Sequence, residues 1–102
     1  MFTLIKGKIM ATLPDIIIPS EDWVSIHALT SQPIGTCIKV TLKSSSPVTL
    51  QETPTKPDQD TNDGLPLLNI GSSNCFSILI EEGSGEVWAK TSRGTSRLSV
   101  EV

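Results

Sequence analysis

Ile38, Val40 and Leu42 alternate with Lys39, Thr41 and Lys43, and near the end of the chain Leu98, Val100 and Val102 alternate with Arg97, Ser99 and Glu101. A strict two-residue period sends one set of side chains to a core and the other to water, which is the pattern of a half-buried strand. Val48 and Leu50 repeat it against Thr49 and Gln51, and Phe76, Ile78 and Ile80 repeat it against Ser77 and Leu79. The composition agrees. Ser and Thr make up 24 of the 102 residues, there are three Ala, and Leu and Glu never cluster at helical spacing. Thr, Val and Ile suit a pleated surface, and Ser suits turns.

Turn signals separate the runs. Asp15-Ile16-Ile17-Ile18 lies between Pro14 and Pro19 and reads as a short strand or edge segment. Ser20-Glu21-Asp22 resembles a helix start, yet Trp23 to Leu29 also fits a strand with Val24, Ile26 and Ala28 on one face and Ser25 and His27 on the other. The strand is the preferred reading. Ser44 to Pro47 predicts a hairpin turn between two alternating runs, and Gly83-Ser84-Gly85 predicts another. The sum is an all-β chain: a small antiparallel β-sandwich or barrel of about six to eight short strands. Its core should hold Ile38, Val40, Leu42, Phe76, Ile78, Ile80, Leu98 and Val100. Residues 1–18 read as an extended N-terminal arm and residues 19–102 as a single β domain.

The same sequence narrows the chemistry. One His, His27, with no nucleophile elbow leaves no acid–base set, so no enzyme is expected, and His27 reads as a surface residue. Glu81 and Glu82 point to opposite sides of a strand and cannot act as a carboxylate pair. Asp58, Asp60 and Asn62 recur at alternate positions as in a Ca²⁺ loop, but Gly64 falls one place late and Asn69 stands where a bidentate Glu is needed. No metal or cofactor is expected. Cys37 and Cys75 read as two reduced thiols. A net charge of -3 with scattered cations argues against nucleic acid or an anionic membrane as partner. No run is long enough to span a bilayer, and the start lacks the uninterrupted apolar stretch of an export signal. Met10 could serve as a second start.

Contact surfaces are the remaining candidates. A chain this short buries about two-thirds of its unfolded surface, so a homo-oligomer or a host assembly would help it. Phe2, Leu4 and Ile5 make the arm apolar, and such an arm can add to a neighbour's sheet edge. Trp88 shares a face with Glu86 and Lys90 and is the better aromatic interface candidate, whereas Trp23 should pack inside. The loop from Thr53 to Gly64 has no large apolar side chain and is long enough to be functional.

Trp23, then Ile26 and Ala28, then the Gly35-Thr36 turn into an alternating strand, followed late by Val87-Trp88-Ala89-Lys90 and Arg97-Leu98-Ser99-Val100, resembles small virion proteins of tailed bacteriophages. The resemblance spans Trp23 to Val100. It implies a β-rich structural protein of the virion, assembled in the host cytoplasm. Its partners would be the major capsid protein or other virion subunits. The implied role is capsid decoration, as a cement subunit. The alternative is a tail- or fibre-associated adaptor or a carbohydrate- or receptor-binding module.

Overall fold

The computed structural model describes residues 11–44, 46–61, 63–67 and 77–102. Among them are eight strands and one short helix: β1 (Ile16–Pro19), β2 (Val24–Ser25), α1 (Ile26–Thr30), β3 (Ile38–Leu42), β4 (Val48–Glu52), β5 (Leu65–Leu67), β6 (Ser77–Ile80), β7 (Val87–Thr91) and β8 (Thr95–Glu101). The all-β expectation holds. The strands form two four-stranded sheets, one in the order β1-β8-β3-β6 and the other β2-β7-β4-β5. Every pairing is antiparallel.

This order has a simple origin. The first strand pairs with the last, β2 with β7, β3 with β6 and β4 with β5. The chain is therefore one long hairpin whose tip is the β4–β5 loop. The hairpin is wrapped on itself so that β3 also meets β8 and β4 also meets β7. That is the winding of an eight-stranded jelly roll. Its two inner faces share one core. Ile16 and Ile18 of β1, Ile38, Val40 and Leu42 of β3, and Leu98 and Val100 of β8 face Val48 and Leu50 of β4, Leu67 of β5, and Val87 and Ala89 of β7. The period-2 reading of β3, β4, β7 and β8 is borne out in the alternating burial of each. Ile80 is buried and Ile78 half-buried on the edge strand β6, while Phe76 lies outside the described residues.

Four sequence readings need correction. The turns at Ser44–Pro47 and Gly83–Gly85 do not close hairpins. Each carries the chain from one sheet to the other. Hydroxyl groups hold the first crossover: Arg97 N–H donates to Ser44 Oγ at 2.9 Å, Ser96 Oγ–H to the Ser46 carbonyl at 2.6 Å, and Thr91 Oγ1–H to the Pro47 carbonyl at 2.9 Å. Thr91 and Ser96 are buried there, so part of the Ser/Thr content satisfies backbone groups at sheet corners. At the second crossover Gly83 N–H donates to the Gly35 carbonyl at 2.9 Å and Gly85 N–H to Glu52 Oε2 at 2.7 Å.

The strand predicted over Trp23–Leu29 stops after two residues. Ser25 caps a helix instead, its Oγ accepting from Ala28 N–H at 3.1 Å, which satisfies one orphan donor of the first turn. Ser31 ends the helix in the left-handed region at φ 58°. Within α1, His27 turns inward and is only 1% exposed. It is not a surface residue.

The reading of residues 1–18 as one arm also changes. Residues 1–10, and with them Phe2, Leu4 and Ile5, lie outside the described residues. From Ala11 onward the chain belongs to the sheet. Ala11 and Val102 exchange two backbone hydrogen bonds, Leu13 N–H donates to the Val100 carbonyl at 2.8 Å, and Ile16 and Ile18 enter the core. The cause is the apolar Ile16/Ile18 face, which packs into the core of the same chain while β8 pairs with the strand's edge.

Candidate interaction surface

The two outward sheet faces differ. On the β2-β7-β4-β5 sheet, Trp88 sits between Ser25 and Gln51, and Lys90 lies beside Thr49, which pairs in turn with Pro66. The β4–β5 loop folds back over this side. Trp23 Nε1–H donates to the Asp58 carbonyl at 3.0 Å, and Trp88 Nε1–H donates to the Thr53 carbonyl at 3.1 Å. Gln51 Nε2 donates to the Asp63 carbonyl at 2.9 Å, and Gln59 Nε2 donates to the Glu21 carbonyl at 2.6 Å. Lys56 pairs with Asp22, and Lys90 Nζ donates to the Gln59 carbonyl while standing 6.0 Å from the Trp23 ring centre, within cation–π range. The loop is thus fastened at both ends and in its middle.

The exit of the loop is backbone-tight. Gly64 holds φ 141°, and a Cβ built on it would sit 2.3 Å from the Leu50 carbonyl oxygen. Only a residue without a side chain lets β5 approach β4 there. Asp58, Asp60 and Asp63 are exposed, the carbonyls of Asp58 and Asp63 already serve Trp23 and Gln51, and Asn62 lies outside the described residues. No three metal-ligating side chains converge among the described residues.

Trp23 is buried, as expected, and Trp88 is half-buried with its ring N–H engaged. The edge of Trp88 is therefore committed to the loop. The surface reading of Trp88 concerns its remaining exposed flank alone.

The outward face of the other sheet is free of any covering loop among the described residues. It presents three cross-strand rows: Ile17 beside Arg97; Thr41 between Ser77 and Ser99; and Lys39 between Leu79 and Glu101. Thr41 and Ser77 share a hydroxyl hydrogen bond of 3.1 Å, and Lys39 and Glu101 stand 4.0 Å apart. Ile17 and Leu79, about half exposed, flank the polar rows. Below this face Asp15 receives Lys43 at 2.8 Å and Arg97 at 3.7 Å. The hydrogen bond and charge of Lys43, and then Arg97, hold the Asp15 carboxyl below its ordinary value of 3.8. Lys56, and then the backbone N–H of Trp23, do the same for Asp22.

Sequence reasoning singled out Trp88 and the loop but missed what joins them. Asp22, Lys56, Gln59 and Lys90 carry no local signal, because their partners lie 31 to 38 residues away. Cys37 is a free, half-buried thiol, and Cys75 lies outside the described residues. No family model, curated protein or solved structure matches this chain.

Proposed function

We propose that this chain is a non-enzymatic structural subunit of a virus particle, a cement protein that decorates a capsid. The observation that carries the reading is the strand order. An eight-stranded jelly roll is an architecture used in viral shells and in lectin domains, and the support it gives is that of architectural analogy. Two features of the surface fit the same reading. The long loop is fastened across one sheet, as a rigid wall needs, and the other sheet presents outward Ser, Thr and paired charges between Ile17 and Leu79 among the described residues. Such a face can bury area against a neighbour without turnover.

The experiment is to purify particles from cells carrying the gene with its genomic neighbours, then to measure this chain by quantitative mass spectrometry and imaging. A fixed stoichiometry to the major shell protein, at sites on the shell, supports cement. A few copies at one vertex point to the tail- or fibre-associated alternative, whose sugar-binding form a glycan array would then test. A chain wholly absent from particles removes both.

A further inference from the structure

Among the described residues, the flank of the sandwich between β5 and β6 carries a cleft of about 310 Å³. Leu50, Ile80 and Val87 form its buried floor, and Leu65 and Leu79 are exposed lips, 41% and 53% accessible. Glu52 and Glu81 also line it, and none of the described lining residues is a cation. An apolar slot with an acidic end selects an occupant that is apolar at one end and basic at the other. Residues 1–9 have that order: Phe2, Leu4 and Ile5 come first, and Lys6 and Lys8 follow.

The fold also fixes where that segment starts. Ala11 is hydrogen-bonded to Val102 on the β1 flank, the opposite edge of the sheet from β6. The registers Lys39–Glu101 and Ile38–Ile80 place Val102 and Glu81 at the same end of the sandwich. A second copy set side by side in the same orientation therefore meets the departing segment at its acidic end first. In that arrangement Lys8 and Lys6 would arrive beside Glu81 and Glu52, with Leu4 and Phe2 following along the apolar floor. To reach its own cleft the segment would have to cross three strand spacings, about 14 Å, over the end of the sandwich.

We propose that residues 1–9 of one copy occupy the β5–β6 cleft of the next, with Phe2 and Leu4 in the slot and Lys6 and Lys8 against Glu52 and Glu81. Donor and acceptor lie on opposite flanks, so the contact is head-to-tail and builds a ring or a row. The inference deepens the reading of the chain as an assembly subunit and rests on it for its purpose. It is tested without any particle.

Sedimentation velocity on the purified full chain should show concentration-dependent association. Deleting residues 1–9, or the double substitution Leu65→Glu with Leu79→Glu, should each weaken association about tenfold or more. Both lip residues are exposed, so the variant keeps its core. Mixing the deletion, which keeps the cleft, with the lip variant, which keeps the segment, should restore a mixed dimer. Lys6→Glu with Lys8→Glu should weaken association at low salt and less at high salt, and Glu81→Lys should rescue it. The full chain remaining monomeric at every concentration would overturn the proposal. So would association that ignores the deletion, or a Leu4→Cys to Leu79→Cys cross-link forming within single chains in a Cys37→Ser, Cys75→Ser background. A monomer that still decorates particles would leave the cement reading standing, and an oligomer absent from particles would do the reverse.

Discussion

The indole N–H of Trp23 donates to the backbone carbonyl of Asp58 at 3.0 Å, across 35 positions of sequence. That bond joins the segment before α1 to the middle of the β4–β5 loop. It is made by a ring only 2% exposed, whereas the Asp58 residue that accepts it is exposed.

Trp23→Phe keeps most of the ring and removes the donor. The expected loss is about 1–3 kcal/mol, from the lost hydrogen bond and a small cavity. Trp88→Phe removes the matching bond to Thr53 from a half-buried ring and should cost less. Urea titration gives both values, and limited proteolysis within residues 53–64 should accelerate more in Trp23→Phe. Equal loss in the two variants would show that burial does not rank these bonds.

Asp22 sets a pH dependence of known sign. Its folded carboxyl titrates below its ordinary value of 3.8, chiefly through Lys56. Its contribution is therefore complete above that value and is lost as pH falls below it through the folded pKa. Tryptophan emission from Trp23 and Trp88 should begin to change below about pH 4 as the loop loosens. Asp22→Asn should remove this component, leaving the part due to Asp15. An identical acid profile in the variant would assign the change elsewhere.

His27 is buried, and neither ring nitrogen has a hydrogen-bond partner among the described residues. An unsatisfied polar group in a core costs about 1–3 kcal/mol. His27→Leu, of similar volume, should therefore hold or raise the melting temperature at pH 8. A marked drop would reveal a partner for the imidazole.

Gly64→Ala should be among the costliest single-atom additions to the surface. The new methyl would meet the Leu50 carbonyl at 2.3 Å and Thr49 Cγ2 at 2.9 Å, on a backbone at φ 141°. A loss of about 2 kcal/mol or more is expected. Gly94→Ala, at φ 66° with nothing within 4 Å of its Cβ, has no such clash and should cost less.

The strands were legible because alternation is local. β3 and β8 could be read residue by residue, since the polar and apolar faces differ at every step. Their partners could not. Ser44–Pro47 and Gly83–Gly85 have hairpin composition, but the bonds that decide their path come from Arg97, Ser96 and Gly35, residues no local window contains. Trp23–Leu29 failed for a different reason. Ser25, Ile26 and Ala28 fit either period, and the cap from Ser25 to Ala28 decided it. In the candidate surface, Trp88 could be picked out by its polar-face neighbours, whereas the cleft between β5 and β6 exists only once both sheets are closed.

Because the chain is wound as a single doubled ribbon, β4 and β5 are, among the described strands, the one consecutive pair that touch within a sheet. All other pairings join segments far apart in sequence, up to β1 with β8. Closing such loops costs entropy before any contact rewards it, and chains dominated by distant pairing fold in milliseconds to seconds. The β4–β5 tip is then the cheapest place to nucleate, and zipping is expected to proceed outward through β3–β6 and β2–β7 to the termini. A circular permutant that joins Val102 to Ala11 and opens the chain between residues 58 and 60 would keep nearly every native contact. It would move the local nucleus to the β1–β8 junction, so the order of assembly would invert while the finished fold stayed the same.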